Sequence, residues 1–137
     1  MNQSEQSAII KRNLATIENH VRLEATDVDE ALKLYTDDVV WESPARRAVY
    51  RGKKEIRDNY LRIFSSMKDV VIEPLERFAT ADRVVDDTLV KFTLSGDGFV
   101  NAPLPTGAHV ELRLVHIFDM RDGKIAKEKV FELWREI

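Results

Sequence analysis

The period of the apolar pattern changes once along this chain, near residue 69, and that change limits the folds open to it. Upstream, apolar residues recur every three to four positions, the spacing that puts side chains on one face of a helix. Ile10, Leu14, Ile17 and Val21 mark a helix over 5–26, with Ser4 or Ser7 as its N-cap. Asp27 caps a second helix over 27–35, with Glu30 at the capping-box position and Ala31, Leu34 and Tyr35 facing inward. A β-rich run, 39–43, stops at Pro44, and Gly52 precedes a third helix with the stripe Ile56, Tyr60, Ile63, Phe64 and Met67. Downstream the period is two, which predicts strands over 69–79, 83–95, 107–120 and 124–134. In the third of these, Ala108, Val110, Leu112, Leu114, His116, Phe118 and Met120 share one face. The Gly- and Pro-rich stretch 96–107 reads as a loop.

Helices followed by a run of antiparallel strands define an α+β fold. At 137 residues the chain suits one domain, 1–137, with one core. Three helices cannot cover both faces of a long curled sheet. One face is therefore expected to close over a helix-lined cavity, and the other to pack against a second copy. A net charge of −3 gives no basic stripe for nucleic acid. No apolar run approaches the roughly 20 residues of a membrane helix, and the N-terminus lacks the basic and apolar segments of a signal peptide. With no cysteine there is no disulfide, thiol nucleophile or thiolate metal site, and a cytoplasmic location is the expectation.

Several local patterns carry little chemistry. Asp37 and Asp38 are adjacent, so their side chains point in different directions and read as a solvated turn rather than a metal site. His20, His109 and His116 lack the short spacing of a zinc motif. Arg46 and Arg47, with Arg51, Lys53 and Lys54, form a basic cluster at the start of the third helix, read as a solvated loop with an anion site as the competing possibility. A Ser43–His116 nucleophilic pair would also need an orienting third group and an oxyanion hole, for which the sequence carries no signature.

Tyr35-Thr36-Asp37-Asp38-Val39-Val40-Trp41-Glu42-Ser43-Pro44, then Tyr50-Arg51-Gly52 and Ile56 to Tyr60, resembles the early motif of ketosteroid isomerases. Pro105-Thr106-Gly107, a strand, and Asp122-Gly123-Lys124-Ile125 resemble SnoaL-like polyketide cyclases. The resemblance, from about Ile10 to Trp134, is to the nuclear transport factor 2-like superfamily. It implies a cystatin-like cone: three N-terminal helices packed on a curved, mainly antiparallel sheet enclosing a pocket. It also implies a small apolar ligand, a homodimer and no cofactor. The aspartate base of the ketosteroid isomerases falls on Ser43 here. Their oxyanion tyrosine falls on Asn19, or on His20 if the helix alignment slips by one, and their oxyanion aspartic acid falls on His116. His116 matches the histidine of SnoaL-like cyclases, whose aspartate position is Val130.

His116 is the only ionisable group on its apolar face, and an imidazole titrates near neutrality. It is either a core histidine bonded within the sheet or an acid–base group in a cavity. The last hairpin decides its partner. A three-residue loop at Asp122-Gly123 sets Glu128 opposite His116. A two-residue type I′ turn sets Lys129 there, with Leu112 against Leu133, Leu114 against Phe131 and Met120 against Ile125. The candidate catalytic pair is His116 and Glu128. The ligand-contacting set is Asn19, Trp41, Ser43, Tyr60, Phe64, Leu114, Phe118 and Val130. Two functions fit: a cofactor-free isomerase, cyclase or dehydratase acting on an apolar keto or hydroxy compound, and a non-catalytic binding or accessory protein using the same pocket.

Overall fold

The fold is described by a computed structural model over residues 2–137. Helix α1 runs Gln3–Leu23, capped by Asn2, whose side chain accepts from the Glu5 N–H at 2.8 Å. Its buried stripe is Asn13, Thr16, Ile17 and His20, rotated from the apolar stripe the sequence suggests. The rotation has a polar cause. Asn13 Nδ2 donates to the Ala81 carbonyl at 3.0 Å and Thr16 Oγ1 to the Gly123 carbonyl at 2.7 Å, so α1 is pinned to two hairpin turns. Helix α2 is short, Val28–Leu32, and Asp27 caps it by accepting from the Glu30 N–H at 3.2 Å. The chain turns extended early, so that Tyr35 belongs to strand β1, Tyr35–Ser43, rather than to the second helix.

A loop over 44–47 leads to β2, Ala48–Arg51, a strand that the apolar pattern does not announce. Helix α3, Gly52–Ser65, buries Ile56, Asn59, Tyr60 and Ile63. Strands β3 (Met67–Ala79), β4 (Arg83–Leu94), β5 (His109–Arg121) and β6 (Lys124–Glu136) follow as an antiparallel meander. The six strands form one curved, unclosed sheet in the order β2-β1-β6-β5-β4-β3, in which only β1 and β6 run parallel. The helices pack on the inner face, where Ile17, Tyr35, Ile56, Val84, Val110, Leu112, Phe118 and Ile125 form the core. Among the described residues no helix is long and apolar enough to cross a membrane.

The β5–β6 hairpin starts in the two-residue register and then departs from both expected ones. Asp122 and Gly123 both have positive φ, 52° and 77°, in the two-residue turn, and Met120 pairs with Ile125. One residue is then inserted on β6: pairing resumes at Asp119 with Lys127. That bulge shifts the rest of the ladder, so Val130, not Glu128 or Lys129, lies opposite His116. Leu112 faces Trp134 and Leu114 faces Glu132, replacing the expected Leu133 and Phe131. The bulge also reverses parity. Glu128, Val130, Glu132 and Trp134 turn toward the helices, while Phe131 and Leu133 lie on the exposed outer face.

Candidate functional site

Between the sheet and helices α1 and α3 lies a cavity of about 490 Å³, within the size range of small-molecule sites. Its floor is the inner face of β4, β5 and β6. Its walls include Val21 of α1, Tyr60 and Phe64 of α3, and Val70 and Ile72 of β3. Most of the lining is apolar, with two groups of buried polar side chains set into it.

The first group centres on Glu128, whose side chain is 1% exposed. Its Oε1 accepts from the hydroxyls of Tyr35 and Tyr60, each at 2.8 Å, and the two hydroxyl oxygens are 2.6 Å apart. Burial, then the Glu128 charge, pushes both phenols well above their ordinary range, so they remain donors. Oε2 faces His116 Nε2 at 3.8 Å, and His116 Nδ1 lies 3.9 Å from Asp86 Oδ2. The imidazole thus sits between two carboxylates, stacked on Phe118 with centroids 5.6 Å apart. Asp86 is itself held: Arg77 Nε donates to Oδ1 at 2.8 Å and Thr88 Oγ1 to Oδ2 at 3.1 Å. On the other side of Glu128, His20 is fully buried, with Nε2 2.9 Å from Glu24 Oε2 and 3.8 Å from Glu128 Oε1. Desolvation lowers the His20 pKa, but Glu24, Glu128 and Asp86 together raise it above the ordinary value.

The second group is Arg46 and Glu132, with side chains 1% and 2% exposed. Arg46 Nε and Nη2 donate to the two Glu132 oxygens at 2.8 and 3.2 Å, and Nη1 donates to the Val100 carbonyl at 2.9 Å. Trp134 Nε1 donates to Glu132 Oε1 at 2.8 Å. The guanidinium lies 5.9 Å from the Trp41 ring centroid and 5.3 Å from that of Phe99. The loop over 44–47 explains the burial. Arg47 has φ 54° and donates its N–H to the Pro44 carbonyl at 3.2 Å, a tight turn that leaves Arg47 exposed and Arg46 buried. Arg46 is therefore not part of the solvated basic cluster the sequence suggests.

His116, Glu128, Trp41, Tyr60, Phe64, Leu114, Phe118 and Val130 all line this cavity. Two expected residues do not. Asn19 is exposed on α1 and accepts from Arg22 at 3.3 Å; the helix phase brings its neighbour His20 inward instead. Ser43 is fully buried, but it lies away from the cavity lining and its Oγ has no hydrogen-bond partner. The sequence pattern does not mark Asp86, Arg46 or Glu132 as cavity residues, yet all three line it. Asp86 was detectable in principle, because it alternates with Val84 and Val90 on the inner face of β4, where a polar residue is informative. Among the described residues no three His, Cys, Asp or Glu side chains are placed to hold a metal ion together.

Residues 17–128 match the SnoaL-like domain, and the chain belongs to that family. No curated protein matches the sequence. A phenazine biosynthesis-related protein from Pseudomonas aeruginosa superposes with a TM-score of 0.76 at 15% identity, covering 96% of this chain and 86% of its own. A protein described as a SnoaL-like polyketide cyclase, from Jannaschia sp. CCS1, gives 0.75 at 18% identity, covering 90% and 87%. An LEH-like epoxide hydrolase of M. tuberculosis gives 0.68 at 14% identity, covering 90% and 84%. These likenesses establish the fold.

Proposed function

We propose that the protein binds a small apolar keto or hydroxy compound in this cavity and moves a proton on it, as a cofactor-free isomerase, cyclase or dehydratase. The observation that carries the reading is the approach of His116 to Glu128 inside a mostly apolar chamber: Glu128 Oε1 is fixed by two tyrosine hydroxyls while Oε2 faces the imidazole at 3.8 Å. In this reading His116 takes a proton from carbon next to a carbonyl and returns it elsewhere. The imidazolium formed is stabilised by Glu128 and Asp86, at 3.8 and 3.9 Å from its two nitrogens. Trp41, Tyr60, Phe64, Leu114, Phe118 and Val130 hold the apolar body. The range of chemistries named for the structural neighbours supports a small-molecule substrate without choosing the reaction. A homodimer across the outer sheet face belongs to the same reading, supported by the exposed Phe78, Phe131 and Leu133.

The test is solvent-deuterium exchange, followed by proton NMR, at carbons next to the carbonyl of 2-decalone, α-tetralone and 2-dodecanone. At least one ketone is expected to exchange tenfold or more faster than in buffer, and His116→Ala and Glu128→Gln to return it to the buffer rate. Ketones that bind without any acceleration would refute proton transfer and leave a non-catalytic binder.

A further inference from the structure

The proton-transfer reading uses one end of the cavity; the Arg46–Glu132 pair has no role in it. Glu128 and Glu132 are four residues apart on the same face of β6, which separates their Cα atoms by about 13 Å. The inner-face rung between them pairs Val130 with His116, and Leu114 lies opposite Glu132 on the floor. The cavity thus carries His116 and Glu128 toward one end and the Arg46–Glu132 pair at the other, with Val130 and Leu114 as apolar floor.

The hydrogen-bonding capacity left at the far end is one-sided. Arg46 uses three of its N–H groups, two on Glu132 and one on the Val100 carbonyl. A guanidinium has five, so two remain. Trp41 Nε1, on a side chain 3% exposed that also lines the cavity, has no partner. Against these three donors stands one spare lone pair on Glu132, whose Oε1 already accepts from Arg46 and Trp134. Burying donors without acceptors is costly, and a ligand oxygen would remove that cost. The charge balance restricts what kind of oxygen fits. Arg46 is neutralised bidentately by Glu132, so the pair offers hydrogen bonds but little net positive charge. A ligand carboxylate would lose its hydration without a free cation to replace it, whereas a ketone, ether or ester oxygen gives up far less.

We propose that Arg46 and Trp41 form a second recognition pole, and that the ligand is a bifunctional apolar compound with an uncharged acceptor oxygen at the end remote from the reacting group. The proposal rests on the reading of the cavity as a proton-transfer site, but it is tested by binding alone. Dissociation constants of 2-dodecanone, 2,11-dodecanedione and 11-oxododecanoic acid are measured by isothermal titration calorimetry. The three have the same chain length and differ in the far group. Wild-type protein is expected to bind the dione about tenfold tighter than the monoketone, the worth of one net hydrogen bond, and to bind the acid less tightly than the dione. The double variant Arg46→Met/Glu132→Leu, shown to be folded by circular dichroism, should lose that preference. Trp41→Phe keeps an aromatic ring and removes the N–H; it should reduce the preference several-fold even if the double variant does not fold. Equal binding of monoketone and dione by wild type, no measurable binding of the dione, tighter binding of the acid, or an unchanged preference in both variants overturns the proposal. Deuterium exchange at the monoketone is read separately. Exchange without preference removes the second pole and leaves the reaction, and preference without exchange does the reverse.

Discussion

Replacing Arg46 by Met should destabilise the protein far more than replacing the Arg46–Glu132 pair together. The single change removes a guanidinium whose side chain is 1% exposed and leaves the Glu132 carboxylate, 2% exposed, without a cation. Two of the three donors to Glu132 disappear, and only Trp134 Nε1 remains. An orphaned buried charge of this kind costs about 3–5 kcal/mol. For a domain of 137 residues each kcal/mol moves Tm by about 3–5 °C, so a fall of roughly 10–25 °C is expected. In Arg46→Met/Glu132→Leu no charge is stranded. Two neutral groups then lose a partner, the Val100 carbonyl and the Trp134 indole, at about 1 kcal/mol each. The apolar replacements offset part of this, so the double variant should lie within about 2 kcal/mol of wild type. Urea unfolding followed by far-UV circular dichroism measures both, and avoids fluorescence, because Arg46 lies over the Trp41 ring. A single variant within 1 kcal/mol of wild type, or a double variant no more stable than the single, would show that Glu132 is not a stranded charge.

Two other outcomes follow from the same structure. The His20 pKa is raised above its ordinary value of 6.5, because Glu24, Glu128 and Asp86 together outweigh desolvation. Its contribution is then fully present below about pH 6.5 and is lost as pH rises through the folded-state value. Urea midpoints from pH 5.5 to 9 should therefore fall more steeply in wild type than in Glu24→Gln, and parallel profiles would remove Glu24 as the cause. Across the outer sheet face, sedimentation equilibrium should give the mass of two chains, and Leu133→Glu, at a position 71% exposed, should give one; a wild-type monomer would exclude that interface.

The change of apolar period carried most of the architecture, because helical stripes and strand alternation are both local properties of the chain. The site was less legible, for identifiable reasons. The insertion after the β5–β6 turn costs one residue and leaves no compositional mark, yet it decides whether Glu128 or Lys129 shares a face with the cavity. Apolar periodicity also misplaced the buried face of α1, since three of its four buried residues, Asn13, Thr16 and His20, are polar: the first two are held by distant carbonyls and His20 by Glu24 one turn on. Arg46 was hidden by its neighbours: in a run of basic residues, burial of one depends on a positive φ at the next, which sequence alone did not reveal. Local rules gave way where long-range polar contacts set the geometry.

Three carboxylates line the inner end of the cavity, but their oxygens are not equally free. Glu24, a quarter exposed, gives Oε2 to His20 and has no partner on Oε1, and both Asp86 oxygens are taken, one by Arg77 and one by Thr88. Glu128 differs. Its two tyrosine bonds fall on the same oxygen, Oε1, which fixes the plane of the carboxylate and leaves Oε2 without a donor within hydrogen-bond distance. That oxygen faces His116 at 3.8 Å, too long for a hydrogen bond, so neither group has spent its capacity on the other. A ligand atom entering beside them would meet a free imidazole nitrogen and a free carboxylate oxygen on one wall. The tyrosines, held protonated by burial, keep that wall in position by binding the far oxygen. Thus the same Glu128 side chain is anchored through one atom and open through the other, an arrangement suited to a group that must support proton movement without moving itself.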